Sequence, residues 1–573
     1  MLSQEVGYPM IRANLLLIST LSLAAVTAQP PGPSCRSTLC RLTASPKLSI
    51  LRWPDFSGYR TLIQNFYQPT EYALAWIHAG TVTDQARAFI EILQRADTEG
   101  LEPEDYDGSR WADRLVRLQN NDDPPAEPDL AQFDLALTIG VMRYLSDLHF
   151  GRANPGLLHP KIGGDQEGFN LSTFLRQHLV DATDTKAMIE DIEPPYEGYY
   201  RTKRALQQYI ALARRNEGGL LPPSRRPVEP GGPYTAARQL ANRLRQTGDL
   251  SEGAADNLAV NTYDRLMVSA VKRFQSRHGL EPDGRLGKAT LAELNTPLSY
   301  RVRQLQLSLE RWRWVPHEFV RPPIVVNIPE FELRALNSSY RTELQMKVVV
   351  GQAYRHQTPV FASDMKYVIF RPYWNVPQSI QRAEIVPKID ADRSYLEKNG
   401  YEVVTSKNKV VTGGVIDDSI LAQLRAGKLL IRQIPGSKNS LGLVKFLFPS
   451  HHDVYLHDTP VTALFSKSRR DFSHGCIRVE KPRELAAWVL RDRPEWPPKR
   501  IAEVMDGHKT LQVNLIEPIP VLVVYATAVA LNNGEIRFFR DIYGQDDVLE
   551  KRLAARRPYP KSTSDAPGRR RRG

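Results

Sequence analysis

Cysteine is nearly absent from this chain: there are three in 573 residues, and Cys35 and Cys40 both fall within the first 40 positions. That scarcity excludes a disulfide-built scaffold. No CxxC or HExxH occurs, and His451, His452, His457 and His474 around the third cysteine, Cys476, match none of the usual zinc spacings. No metal and no other cofactor is expected. Long apolar runs are missing too. The stretch from Leu15 to Val26 is too short for a comfortable membrane span. A distributed positive charge is also lacking: +8 of the formal +12 sits between Lys551 and Gly573. The body is close to neutral for its size, so nucleic acid is not its expected partner.

What is present suits a multidomain globular protein, with 42% hydrophobic and 24% charged residues. Arg12, the apolar run and the small residues Val26-Thr27-Ala28 form an export signal over 1–28, placing the chain in the periplasm or cell envelope. An uncleaved membrane anchor is the alternative. Residues 29–54 read as a flexible lead, in which Cys35 and Cys40 either pair or remain free thiols. Residues 55–219 are mainly helical, with apolar spacing at Phe89, Ile90 and Leu93. A Pro/Gly-rich linker spans 220–233. A compact three-helix unit follows over 234–297, with Leu266, Ala270 and Phe274 on one face of its second helix. From Pro323 the period changes to short β-branched strands, interrupted over about 384–436 by a charged insertion. Residues 546–573 read as a basic disordered tail. The fold class is therefore multidomain α+β.

The chemistry concentrates in Val454-Tyr-Leu-His-Asp-Thr-Pro460 and Ser473-His-Gly-Cys-Ile-Arg-Val479. A thiol attacks carbonyls as thiolate, so Cys476 needs a base or a positive field to lower its pKa. His457, ending a strand-like run, is the natural base, with Asp458 orienting it through the backbone carbonyl. Gly475 lets the chain turn before Cys476, so that N–H groups near Gly475 and Cys476 converge on an oxyanion. Ser473 reads as a turn hydroxyl, and His474 is expected to point elsewhere.

His457, fifteen intervening residues, then Ser-His-Gly-Cys and Arg478, resemble the signature of L,D-transpeptidases with a YkuD-type catalytic domain. Ala270-Val-Lys-Arg-Phe-Gln275 with His278-Gly-Leu280, Asp283-Gly284, Gly287, Thr290 and Leu294 resembles the peptidoglycan-binding domain of wall hydrolases. Phe66-Tyr67, Trp76, Gly100-Leu101, Pro103, Tyr106 and Asp147-Leu-His-Phe-Gly-Arg152 are similar to the scaffold of large, YcbB-like members, as is Glu310-Arg-Trp-Arg-Trp314 before the catalytic domain. The resemblance implies a helical scaffold, a three-helix wall-binding domain and, over 298–545, a strand-dominated β-sandwich catalytic domain whose insertion is a lid. It implies Cys476 as nucleophile and His457 as proton donor and acceptor. It also implies a substrate cleft lined by Tyr373, Trp374, Asn375 and Tyr455. Arg478 either anchors a stem carboxylate in a forked geometry or packs against the Cys turn. The implied reaction is acyl transfer between peptidoglycan stems through a thioester, releasing D-alanine and joining residues three of two stems. Hydrolysis on the same site, as an L,D-carboxypeptidase, is the alternative, with a non-enzymatic wall-binding scaffold behind it. Implied partners are peptidoglycan stem peptides and glycan, wall-synthesis proteins, and carbapenem-type β-lactams as covalent inhibitors.

Overall fold

The computed structural model describes residues 37–119, 125–153, 169–215, 219–224, 226–251, 261–450 and 452–555. The expected export signal, Cys35, His451 and the Arg569–Arg572 tract lie outside these residues.

The N-terminal unit is built round one helix, Glu127–Phe150, whose side chains are buried almost without interruption from Ala131 to His149. A helix apolar on every side must be enclosed, and Thr38–Ala44 and Asp84–Gln94 pack on it. Its polar residues are matched internally. The Asp134 carboxylate accepts from the backbone N–H groups of Trp76 at 2.7 Å and Ala75 at 3.1 Å, and from the Tyr67 hydroxyl at 2.6 Å. The expected flexible lead is corrected here. From Thr38 the chain is helical, Ser37 caps that helix by accepting the Cys40 N–H, and Leu39, Leu48 and Leu51 enter the core. Cys40 is disulfide-bonded. Its Pro/Ser/Thr-rich surroundings resemble a linker, but three well-placed leucines are enough to dock it.

The second unit, the expected wall-binding module, holds helices Ala237–Gln246, Arg265–Arg277 and Lys288–Leu294 round Tyr263, Met267, Ala270, Val271 and Phe274. The Gln275 amide ties its turn together, accepting from Gly284 N–H and donating to Asp283 and Thr290. Helix Leu298–Trp312, expected inside the catalytic domain, packs instead on scaffold helix Glu197–Ala213. The fit is close: a Cβ on Gly198 would sit 2.7 Å from the Trp312 ring.

Among the described residues the main sheet of the C-terminal unit has nine strands: β1 (Ile324–Asn327), β2 (Glu332–Leu336), β3 (Thr342–Gly351), β4 (Phe361–Phe370), β5 (Val444–Leu447), β6 (Leu456–His457), β7 (Asp471–Ser473), β8 (Ile477–Val479) and β9 (Leu511–Val524). Their order is β7-β3-β8-β6-β5-β4-β9-β1-β2, and β2 also pairs with β3. The pairings thus close on themselves and enclose a core that includes Val348, Val368, Phe446, Leu456, Ile477 and Val521. β9 is long, and its register against β4 shifts between Asn514 and Ile519. Pro518 falls within that shift, where pairing is already interrupted and proline is tolerated.

The insertion is a folded unit with its own core (Val376, Ile389, Leu396, Val403, Leu421, Leu424, Ile431) and a four-stranded sheet running from Trp374–Asn375 to Leu430–Gln433. It therefore begins about ten residues before the expected boundary. The expected tail is corrected as well. Gln545–Ala554 is a helix that buries Leu549 and Leu553 in the catalytic core. The Asp541 carboxylate accepts from the N–H groups of Gln545 and Asp546, and Asp546 pairs with Arg311 at 2.5 Å.

Candidate active site

Strand register assembles the site. In the parallel pair β6–β8, Leu456 faces Ile477 and His457 faces Arg478; in the antiparallel pair β5–β6, Lys445 faces His457. The Ile477 N–H donates to the Tyr455 carbonyl at 3.1 Å, extending the ladder back to Tyr455 and Cys476. Side chains alternate between faces along a strand. Phe446, Leu456, Ile477 and Val479 point into the core. Lys445, Tyr455, His457, Cys476 and Arg478 therefore share the opposite face.

The turn that carries Cys476 is held tightly. Gly475 has φ +113°, a conformation that side chains rarely allow. The Ser473 hydroxyl donates to the Cys476 carbonyl at 2.5 Å and accepts the Gly475 N–H at 3.1 Å. Thr358, in the loop after β3, donates its hydroxyl to the Gly475 carbonyl at 2.8 Å. The expected oxyanion donors are thus not equivalent. The Gly475 N–H is committed inside the turn, whereas among the described residues the Cys476 N–H has no partner. His474 turns away from the thiol: its Nε2 lies 2.6 Å from Glu384 Oε1 in the insertion, and its ring is 4.8 Å from His356.

The electrostatics correct one expectation. His457 Nδ1–H donates to the Asp458 carbonyl at 2.5 Å, which leaves Nε2 with its lone pair. Burial, then Arg478 and Lys445, push the imidazole down to about 3. Burial also pushes the Cys476 thiol up, although Tyr455, Arg478 and Lys445 oppose it. The resting pair is a neutral thiol and a neutral imidazole, not a preformed thiolate. The thiol's hydrogen bond runs to the Asp453 carbonyl at 3.8 Å, and the Tyr455 hydroxyl faces the sulfur. No hydrogen bond joins Cys476 to His457 in this structure. Such contacts often tighten only on substrate binding.

Arg478 lies on the thiol's face. Trp374 and Asn375 form the edge strand of the insertion's sheet, paired with Gln433 and Arg432; Tyr373 precedes it, with the Arg432 guanidinium 4.3 Å over its ring. The insertion's hydrogen bond to the nucleophile turn comes from Glu384. Sequence reasoning missed Lys445, Thr358, Asp453 and Glu384. Lys445 had a signal, because a lysine between Val444 and Phe446 must leave the core face. The other three are joined to the turn by tertiary structure alone. His452 stacks near Phe361, at 5.3 Å, away from the other histidines, and among the described residues no three metal-ligating side chains converge.

Three families match this chain: the L,D-transpeptidase catalytic domain over residues 321–507, a scaffold domain over 61–206, and a "Putative peptidoglycan binding domain" over 234–294. A protein of Haemophilus influenzae named "Putative L,D-transpeptidase" is 34% identical over 245 residues, 43% of this chain and 48% of that one. The chain therefore spans about half the length of that curated relative. A crystal structure of an L,D-transpeptidase fragment from Xylanimonas cellulosilytica matches at 15% identity over 53% of this chain and 100% of that one. Its TM-score of 0.16 is too low to bear on the fold.

Proposed function

We propose that this chain, which carries an L,D-transpeptidase catalytic domain with a scaffold domain and a peptidoglycan-binding domain, is an exported enzyme that joins residues three of two peptidoglycan stems. The observation that carries this reading is Cys476 on one sheet face with His457, beside a free Cys476 N–H.

Nε2 of neutral His457 takes the thiol proton as sulfur attacks the carbonyl carbon of stem residue three. The Cys476 N–H donates to the resulting oxyanion. Losing one such donor typically costs about 3 kcal/mol of barrier. The intermediate collapses, the C–N bond to the terminal D-alanine breaks, and imidazolium returns its proton to the departing amine. A thioester remains. The amine of a second stem attacks it, His457 removes the amine's extra proton, and sulfur leaves as the restored thiol. Both charged states are transient, which suits a site whose resting groups are neutral.

The test is mass spectrometry of the full chain and of Cys476→Ala incubated with disaccharide-tetrapeptide. Loss of D-alanine with a cross-linked dimer, from the unaltered chain only, supports the proposal. Tripeptide without dimer moves the reading to an L,D-carboxypeptidase. No product from either leaves a wall-binding scaffold. Covalent labelling of Cys476 by a carbapenem is expected on the same reasoning.

A further inference from the structure

Several buried arginines elsewhere in this protein have an anionic or carbonyl partner. Arg277 meets Asp249, Arg334 meets Glu330, and Arg470 donates to the carbonyls of Val348 and Phe331. Two cations beside the thiol break that pattern. Arg478 makes no ion pair among the described residues, and its Nε is buried without a hydrogen-bond partner. Lys445 likewise has no carboxylate, and its Nζ sits 5.6 Å from the Tyr455 ring centroid. The one acidic group facing either of them is the Cys476 thiol. Register places them on either side of His457, on neighbouring strands of one face. Directly opposed side chains in a sheet lie about 5 Å apart.

Resting on the transpeptidase reading, we propose that Lys445 is a substrate-positioning and specificity residue, forming with Arg478 a two-cation seat for a free carboxylate of the acyl-donor stem. Buried charges persist where a partner completes them, and the partner here comes with the substrate. A tetrapeptide stem ends in a carboxylate one residue beyond the bond to be cut, about 3.5 Å of chain further on. That matches a seat beside the nucleophile. A carboxylate within the stem has the same chemistry.

The seat also links binding to proton transfer. His457 is faced by Lys445 from β5, Arg478 from β8, Tyr455 from its own strand, and the thiol. The Asp458 carboxylate, the nearest anion in sequence, is engaged by the N–H groups of Leu443 and Thr459. A seated carboxylate offsets both cations, so the imidazole accepts the thiol proton more readily with donor bound than without.

The experiment compares the full chain with Lys445→Met and Lys445→Arg. Donors are disaccharide-tetrapeptides with all carboxylates free, with the terminal one as its amide, or with those inside the stem amidated. Terminal amidation is expected to lower kcat/KM for release of the terminal residue (D-alaninamide from that donor) about tenfold in the unaltered chain. Lys445→Met should lose a similar factor on the free donor, mainly in KM, and little more on the terminal amide. Lys445→Arg should recover most of it. Because removing a cation relieves the depression of His457, Lys445→Met should also move the acid limb of kcat/KM to higher pH. Sensitivity to internal amidation alone would keep the seat and assign it to a carboxylate within the stem. A Lys445→Met enzyme that discriminates every amide as strongly as the unaltered chain would overturn the proposal. Calorimetric titration of Cys476→Ala with the same donors needs no turnover. A preference for free carboxylate there that Lys445→Met removes supports the seat even if no donor is processed, an outcome that would sink the transpeptidase reading separately. Equal affinity for free and amidated donors rejects the seat.

Discussion

His457 is held neutral by burial and by two cations, and that has consequences in two measurements. An ordinary histidine would impose an acid limb near pH 6.5. With the imidazole pushed down to about 3, kcat/KM, which reports the free enzyme, should run flat as pH falls through 6.5. A limb centred there would contradict the site described. Stability follows the same shift. Between about 3 and 6.5 the unfolded chain binds a proton that the folded chain refuses, so stability drops as pH falls across that window. At pH 5 this penalty is about 2 kcal/mol. His457→Gln should lose correspondingly less stability between pH 7.5 and pH 5 in denaturant titrations. Gly442 supports the same corner. It has φ +61°, and a Cβ there would lie 2.3 Å from the Asp458 carboxylate, the group that accepts the Leu443 N–H at 2.8 Å. Gly442→Ala should cost about 1 kcal/mol for the backbone alone, with a further loss of turnover as the Asp458 turn shifts. Unchanged melting and unchanged kcat would show that the corner is not under this constraint.

At the scale of elements, what the sequence disclosed depended on whether the signal was local. Ile324–Asn327 and Val444–Leu447 were legible as short runs rich in β-branched or aromatic residues. The nucleophile turn was legible because Gly475 and Cys476 are adjacent in sequence. Asp471–Ser473 was not, being three residues paired in parallel with a strand more than a hundred positions earlier. The helix Gln545–Ala554 was lost in charge: Lys551 and Arg552 blend into a basic tract, while Leu549 and Leu553 show their role only once the core beneath them exists. Truncation separates the two. Ending the chain after Ala555 should leave melting unchanged. Ending it after Gly544 uncovers the core under Leu549 and Leu553 and strips Arg311 of Asp546. Two exposed leucine sites and a broken buried pair amount to about 5 kcal/mol or more, so this chain should be poorly folded. Equal stability of both truncations would mean that the helix is an ornament.

Across the whole molecule, separate cores meet at a few polar joints, and one can be cut without touching the thiol. Arg277, at the end of the wall-binding module's second helix, reaches out of its own unit. Its guanidinium pairs with Asp249, accepts nothing, and donates to the Ile536 carbonyl at 2.6 Å in the C-terminal hairpin. That hairpin, Ala528–Ala530 with Ile536–Phe538, packs in turn on helices Glu197–Ala213 and Leu298–Trp312. The His278 ring stacks between Phe274 of the module and Phe538 of the hairpin. Arg277 and His278 thus tie the module to the hairpin, which itself packs on the scaffold helix. Arg277→Met keeps most of the apolar stem but leaves the Asp249 carboxylate buried without its cation, a loss of about 3–5 kcal/mol. Arg277→Met with Asp249→Asn removes the stranded charge and should recover part of that loss. If docking rather than folding of the module is what Arg277 secures, the single variant should unfold in two steps, and proteolysis should begin in the proline-rich segment 220–233 while the catalytic core still melts as before. One cooperative transition, shifted down as a whole, would instead show that module, scaffold and catalytic sheet fold as a single body and that the joint cannot be opened alone.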